Sequence, residues 1–425
     1  MSRMLRLASS RLVLVSAMAI LAGCSGSDQS GDGPDGGAAA ESHATPPPAA
    51  IVGKGTSADQ AQPEMEMPEE GTARWLAFEI VKQQQTPMSA VDPNKDLKIS
   101  AERIERERHQ RARKIIDLAT EAIAMTHANP KQEEEFTFAI KSLMEARMEL
   151  ALSGDVDEVE NMFADAEMVY ERAPESKAAA EAAYVIVRFS HSKAREFAAK
   201  EPRWLEEFSR RARQFATTFP HDEAGQRAVS LLYAAGWSCE THGMISEAIS
   251  CYTLIQEKFP QSPQAKQVVA VLRRLALEGE PLELAGATID GGYLSIDEFA
   301  GRVVLVAFWS SDNSKFQRQL PLITAAARKF SEKDFSVLGI ALDKDESALD
   351  AFLVEQELTW PQIFHPDPRK RRWDNPVVSY YGIRNVPMLW LVDANGIVVD
   401  NNVDPARIES QVRELLASTR RRSQE

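Results

Sequence analysis

Thiols are the side chains of this 425-residue chain best suited to covalent chemistry, and there are three: Cys24, Cys239 and Cys251. A thiolate acts as nucleophile or redox centre, and a dithiol centre needs its second sulfur within reach of the first. Cys239 and Cys251 lie too far apart in sequence to share a helical turn, and Cys24 ends an apolar run near the start. The seven histidines, His43, His109, His127, His191, His221, His242 and His365, show no metal-ligand spacing. No glycine-rich phosphate loop is present. The expectation is no metal and no cofactor. Asp312, Asn313 and Ser314 offer non-covalent chemistry, because they follow an apolar run and precede a helical pattern. At a helix start, such residues cap the helix, and the free N–H groups there also bind a carboxylate or a carbonyl. Both readings stay open from the residues alone.

The elements that must position these groups fall into two kinds. Val303–Trp309 and Phe335–Ala341 are continuous β-branched and aromatic runs, as buried strands are. A helix from Ser314 to Phe330 and another from Ser347 to Glu357 alternate with them. Met388–Val392 reads as a strand, Asn395-Gly396 as a hairpin turn into Ile397–Val399, and Pro405–Thr419 as a last helix. Before residue 277 the pattern is helical, with a short helix around Trp75–Val81 and a long one from Ser100 towards Met125. Pro130, Pro174, Pro220 and Pro260 then recur at a period of roughly 40 residues, which suggests stacked helical hairpins. In the unit Leu232–Pro260, Gly236 and Ala248 are read as the small residues where two helices touch, Gly243 as the turn and Tyr252 as the larger packing residue. With Gly236 facing Ala248, Cys239 and Cys251 are offset by about 9 Å along the axis. No bridge between them is expected, and both read as buried free thiols.

A hydrophobic fraction of 44% allows a proper core, and the length allows two or three domains. A net charge of −14 disfavours nucleic acid and anionic lipid as partners. The basic runs Arg369–Arg372 and Arg420–Arg422 are exceptions, read either as solvated loop and tail or as docking points for an acidic partner. Arg3, Arg6 and Arg11 precede the apolar run Leu12–Ala22, which is too short to span a bilayer. It fits the core of a signal peptide. Residues 25 to 70 are rich in Gly, Ala, Ser, Pro and acids and read as a tether with a reach on the order of 40 Å.

Three resemblances follow. Leu21-Ala22-Gly23-Cys24 is similar to the lipobox of bacterial lipoproteins, which implies lipidation of Cys24 and residence in the cell envelope, facing the periplasm or the exterior. Leu232–Pro260 resembles a tetratricopeptide repeat. Residues from about Pro281 to Val403 resemble the redoxin and thiol–disulfide oxidoreductase families of bacterial envelopes. That last likeness rests on Thr288–Gly291 with Leu294–Ile296, Gly301–Val306, Phe308-Trp309, Pro321, Tyr381–Ile383 with Val386-Pro387, and Asp393–Gly396. It implies a thioredoxin fold in which Pro387 is cis. The register set by Trp309 and Pro321 puts Asn313 and Phe316 where the family has its two cysteines, and Gln319 where it usually has Glu.

The whole chain is thus expected to be α+α/β: a signal peptide over 1–23, a tether over 24–70, tetratricopeptide-like helical hairpins over 71–277 and a thioredoxin-like domain over 281–425. Asn313 cannot form a mixed disulfide and Phe316 cannot resolve one. The leading expectation is a lipid-anchored, non-catalytic scaffold that binds an envelope protein or peptide and no nucleic acid. Trp309, Asn313, Val386 and Pro387 are its candidate peptide-groove residues. The alternative is a redox protein that uses Cys239, Cys251 or thiols of a partner.

Overall fold

The computed structural model describes residues 67–86 and 101–422. The signal peptide, Cys24, nearly all of the tether and the Ser100 helix start lie outside the described residues. Two compact units divide the chain, one ending at Ser192 and the other beginning at Lys193.

The first unit is helical, with α1 (Ala73–Gln85), α2 (Ala101–Thr126), α3 (Glu133–Leu152), α4 (Val156–Arg172) and the greater part of α5 (Lys177–Phe197). Thr72 and Asp155 cap α1 and α4 by accepting from Trp75 N and Glu158 N. Leu76, Ile80, Ile115, Leu118, Leu143 and Leu150 meet among alanines 112, 119, 122, 139 and 146 to form its core. The alanines let α1, α2 and α3 approach closely. Arg147 of α3 pairs with Glu158 and Asp165 of α4, each at 2.6 Å. No described helix is long and apolar enough to cross a membrane.

The second unit joins α6 (Arg203–Thr218), α7 (Gln226–Thr241), α8 (Ile245–Lys258) and α9 (Pro263–Leu275) to a β-rich domain. Gly243, at φ +77°, makes the α7–α8 turn. A Cβ on Gly236 would lie 2.6 Å from the Tyr252 ring, so Tyr252 packs directly on Gly236. Cys239 and Cys251 are free and fully buried, as expected above. The hydroxyl of Ser209 lies 3.4 Å from Cys251 Sγ, and Cys239 Sγ lies 3.9 Å from Leu205 O.

The β-rich domain holds β1 (Ala285–Ala287), β2 (Tyr293–Ser295), β3 (Val303–Trp309), α10 (Ser314–Lys329), β4 (Phe335–Ala341), α11 (Glu346–Glu355), β5 (Gln362–Ile363), α12 (Pro376–Tyr380), β6 (Met388–Val392), β7 (Val398–Asp400) and α13 (Ile408–Arg422). The main sheet runs β5-β4-β3-β6-β7, with β3 parallel to β4 and antiparallel to β6. All of β3 is buried because the sheet is covered on both faces. Val304, Val306 and Phe308 join Leu338, Ile340, Trp390 and Tyr381 on one face. Val303, Leu305, Ala307 and Trp309 join Phe316, Leu320, Ile323 and Val412 on the other. Both edge strands, β5 and β7, bond to the chain arriving from α9. Gly279 N donates to Val398 O and Val398 N to Glu280 O at one edge, while Ile289 N donates to Gln362 O and Phe364 N to Ala287 O at the other. The helical region followed by a thioredoxin-fold domain is the architecture expected above.

Candidate functional site

The loop from β3 to α10 meets the loop before β6 at Asn313. Asn313 is the N-cap of α10: its Oδ1 accepts from Phe316 N at 2.9 Å. Its Nδ2 donates to Val386 O at 3.0 Å. One amide therefore caps the helix and clasps the following loop, in which the Val386–Pro387 bond is cis. Asn313 and the Val386–Pro387 pair are thus neighbours in space. Trp309 is not beside them on the surface. It is fully buried, stacked on Phe316 at 4.6 Å and 24°, and its Nε1 donates to Gln362 Oε1 at 3.1 Å. Its place in the groove set is therefore corrected: strand alternation turns its side chain into the core beneath α10. Phe316, at 1% exposure, fills the same core. Gln319 is half-buried on the helix.

Asp343 and Ser311, which sequence reasoning did not single out, join Asp312 and two arginines of the 369–372 run in the rest of the site. Asp343, buried just after β4, accepts from Ser311 N at 3.1 Å and from the Ser311 hydroxyl. Its carboxyl is raised from the ordinary 3.8, mainly by burial, against the lowering effect of its bonds to Ser311. Asp312 accepts from Ser310 Oγ at 2.5 Å and pairs with Arg372 at 3.4 Å. Arg372 holds φ +55°, a left-handed turn that aims its side chain at Asp312. Arg371 is 8% exposed and stapled in place. It donates to His365 O at 2.9 Å, Lys344 O at 3.2 Å, Pro366 O at 3.1 Å and Glu346 Oε2 at 2.7 Å, over the ring of Phe364. The Arg369–Arg372 run is thus partly structural, and Arg369 is paired with Asp367 at 2.9 Å. The signal available in the sequence is a pattern too short to read, one arginine among its neighbours.

Two measurements test this frame. A carboxyl whose folded pKa is raised binds more protons folded than unfolded. Stability must then fall as pH rises from the unfolded value through the raised folded one. Asp343→Asn should remove that slope, so the stability difference between wild type and variant drifts against wild type as pH climbs from 3.8. A pH-independent difference by urea titration would contradict the assignment. Arg371→Ala leaves three backbone carbonyls without their donor and should cost about 2–4 kcal/mol of unfolding free energy. A loss under about 0.5 kcal/mol, the size of an ordinary surface change, would show that the staple contributes little.

Chemically, the site has no sulfur. Cys239 and Cys251 belong to α7 and α8, and burial pushes the Cys239 thiol up to about 12, with Cys251 adding to the effect. Burial raises the Cys251 thiol too. Burial thus disfavours the thiolate form of both. Among the described residues no cluster of His, Cys, Asp and Glu is arranged to hold a metal ion. What the geometry offers is recognition: amide, hydroxyl, carboxylate and guanidinium groups at a helix start beside a proline loop.

Comparison with known proteins agrees with the fold. Residues 301–398 match a family model described as Thioredoxin-like. The thiol-disulfide oxidoreductase ResA of Bacillus thuringiensis subsp. konkukian is 20% identical over 128 residues, 30% of this chain and 69% of that protein. ResA of Oceanobacillus iheyensis is 22% identical over 108 residues, 25% of this chain and 53% of its own length. Among solved structures, the thioredoxin domain of a thiol-disulfide oxidoreductase from Bacteroides vulgatus is 23% identical. It covers 33% of this chain and 97% of that one, with a TM-score of 0.30. The C-terminal domain of this chain has a thioredoxin fold and is similar to thiol-disulfide oxidoreductases.

Proposed function

We propose that this chain is a lipid-anchored protein of the bacterial envelope whose thioredoxin-like domain binds a protein or peptide partner and performs no thiol chemistry. The observation that carries this reading is the double role of Asn313, whose amide caps α10 and clasps Val386. A residue so engaged holds the loop in shape without offering a reactive atom. Phe316 supports the same view, since it is a core residue. The anchor rests on the apolar run ending in Cys24, and tetratricopeptide-like stacking of the helical hairpins would supply further contact surface. The net charge of −14 speaks against nucleic acid as the partner.

The test is a dithiol-driven disulfide reduction assay on the full chain, beside a Cys239→Ser, Cys251→Ser double variant. Both should match the uncatalysed rate. Turnover that survives in the double variant would defeat the non-catalytic reading outright. Turnover that vanishes with either thiol would favour the alternative, a redox protein using Cys239 or Cys251. Crosslinking in intact cells should capture an envelope protein through the surface around Asn313 and Val386. Cys24→Ser should abolish lipid attachment, read by the mass of the N-terminal peptide.

A further inference from the structure

The segment joining α12 to the proline loop, residues 380–384, is gripped from behind by the helices of the same unit. Gly382 sits so close to α9 that a Cβ there would lie 2.8 Å from Val271 N and 3.0 Å from the Ala270 carbonyl carbon. Its φ of +59° is one that other residues rarely adopt. Arg273 of α9 lies 3.8 Å over the Tyr380 ring and also donates to Tyr380 O. Arg384 reaches α7, where its guanidinium lies 4.7 Å from the Tyr233 ring and 5.9 Å from the Trp237 ring. Its two terminal nitrogens are buried, with no hydrogen-bond partner among the described residues. Ring faces hold that cation, a contact worth roughly 0.5–2 kcal/mol. Buried donors left unpaired are costly, so the arrangement persists only because neighbouring contacts fix it. Tyr381, between the two grips, donates to Glu283 O at 2.6 Å and packs edge-on against Trp390.

Two residues beyond Arg384 stands Val386, whose carbonyl Asn313 clasps. The proline loop is thus fixed from the front by α10 and from behind by α7 and α9. We infer that the α7–α9 helices set the position of the Val386–Pro387 loop, so that displacement of those helices is transmitted through residues 380–384 to the candidate site. Coupling of this kind is reciprocal: whatever engages the loop also bears on the helices. The inference goes beyond the binding reading and does not need a ligand to be tested. Failure of one therefore leaves the other standing.

Hydrogen exchange of the full chain, read by mass spectrometry, tests it. Arg384→Gln should raise exchange about tenfold or more across residues 311–316 and 383–386, with β3 and β4 unchanged. Arg384→Lys keeps a cation over the rings and should fall between wild type and the glutamine variant. Gly382→Ala should give the pattern of Arg384→Gln through a different contact, and Arg273→Gln serves if either variant does not fold. Exchange that rises only within 226–275, or uniformly through 193–422, would overturn the coupling.

Discussion

Asn313→Cys with Phe316→Cys is expected to build a dithiol reductase centre into this domain, with turnover at least about a hundredfold above the uncatalysed rate. The thiol introduced at position 313 would stand at the N-cap of a sixteen-residue helix, where unpaired N–H groups and the helix dipole stabilise a thiolate. A second thiol at position 316 lies one turn on, within reach for closing a disulfide. The change carries a cost. Removing the buried Phe316 ring should destabilise the reduced form by about 3–5 kcal/mol, and losing the cap adds roughly 1 kcal/mol. The disulfide form should recover part of that loss. If the double variant proves too unstable to assay, Asn313→Cys alone should alkylate faster near neutral pH than an exposed control cysteine. An alkylation rate equal to the control would mean the register is wrong.

Gly339→Ala should be among the most damaging single-methyl changes in the molecule, at about 3–5 kcal/mol. The added Cβ would fall 1.8 Å from Gln362 Oε1 and 2.6 Å from its Cδ. Gln362 is 3% exposed and pairs in register with Gly339 across β4 and β5. Its side chain can move only by abandoning Trp309 Nε1, which leaves a buried donor unpaired at about 1–3 kcal/mol. Overpacking contributes a similar amount. Gly301→Ala is the control. Gly301 has φ +85° but nothing within 4 Å of a built Cβ, so only the backbone penalty of about 1–2 kcal/mol applies. Equal urea midpoints for the two variants would show that steric overlap at Gly339 is relieved freely, and that the Trp309–Gln362 bond matters little.

The strands β3 and β4 are legible to the residue, because burial on both faces demands unbroken apolar runs. The helix from Ser314 is equally legible, since an asparagine ahead of a helical pattern is a capping signal. The second bond of Asn313 is not, because it reaches Val386 across 73 positions and depends on the assembled sheet. β5 is two residues long and has no period of its own; its pairing with Gly339 and Ile340 creates it. The burial of Trp309 is legible too, against its placing in the groove: counting alternation from Val303 already puts it on the face that α10 covers. The state of the two cysteines is legible as well: both are free and buried, as their spacing in the hairpin leads one to expect.

The stretch from 279 to 289 hems the sheet on both selvedges before the first long strand begins. A fragment that starts at Val303 would therefore leave two raw margins of N–H and C=O groups, open to strand exchange between copies. By the same logic, the outer margins of β5 and β7 are already engaged by this stretch, and a visiting strand would have to displace it there.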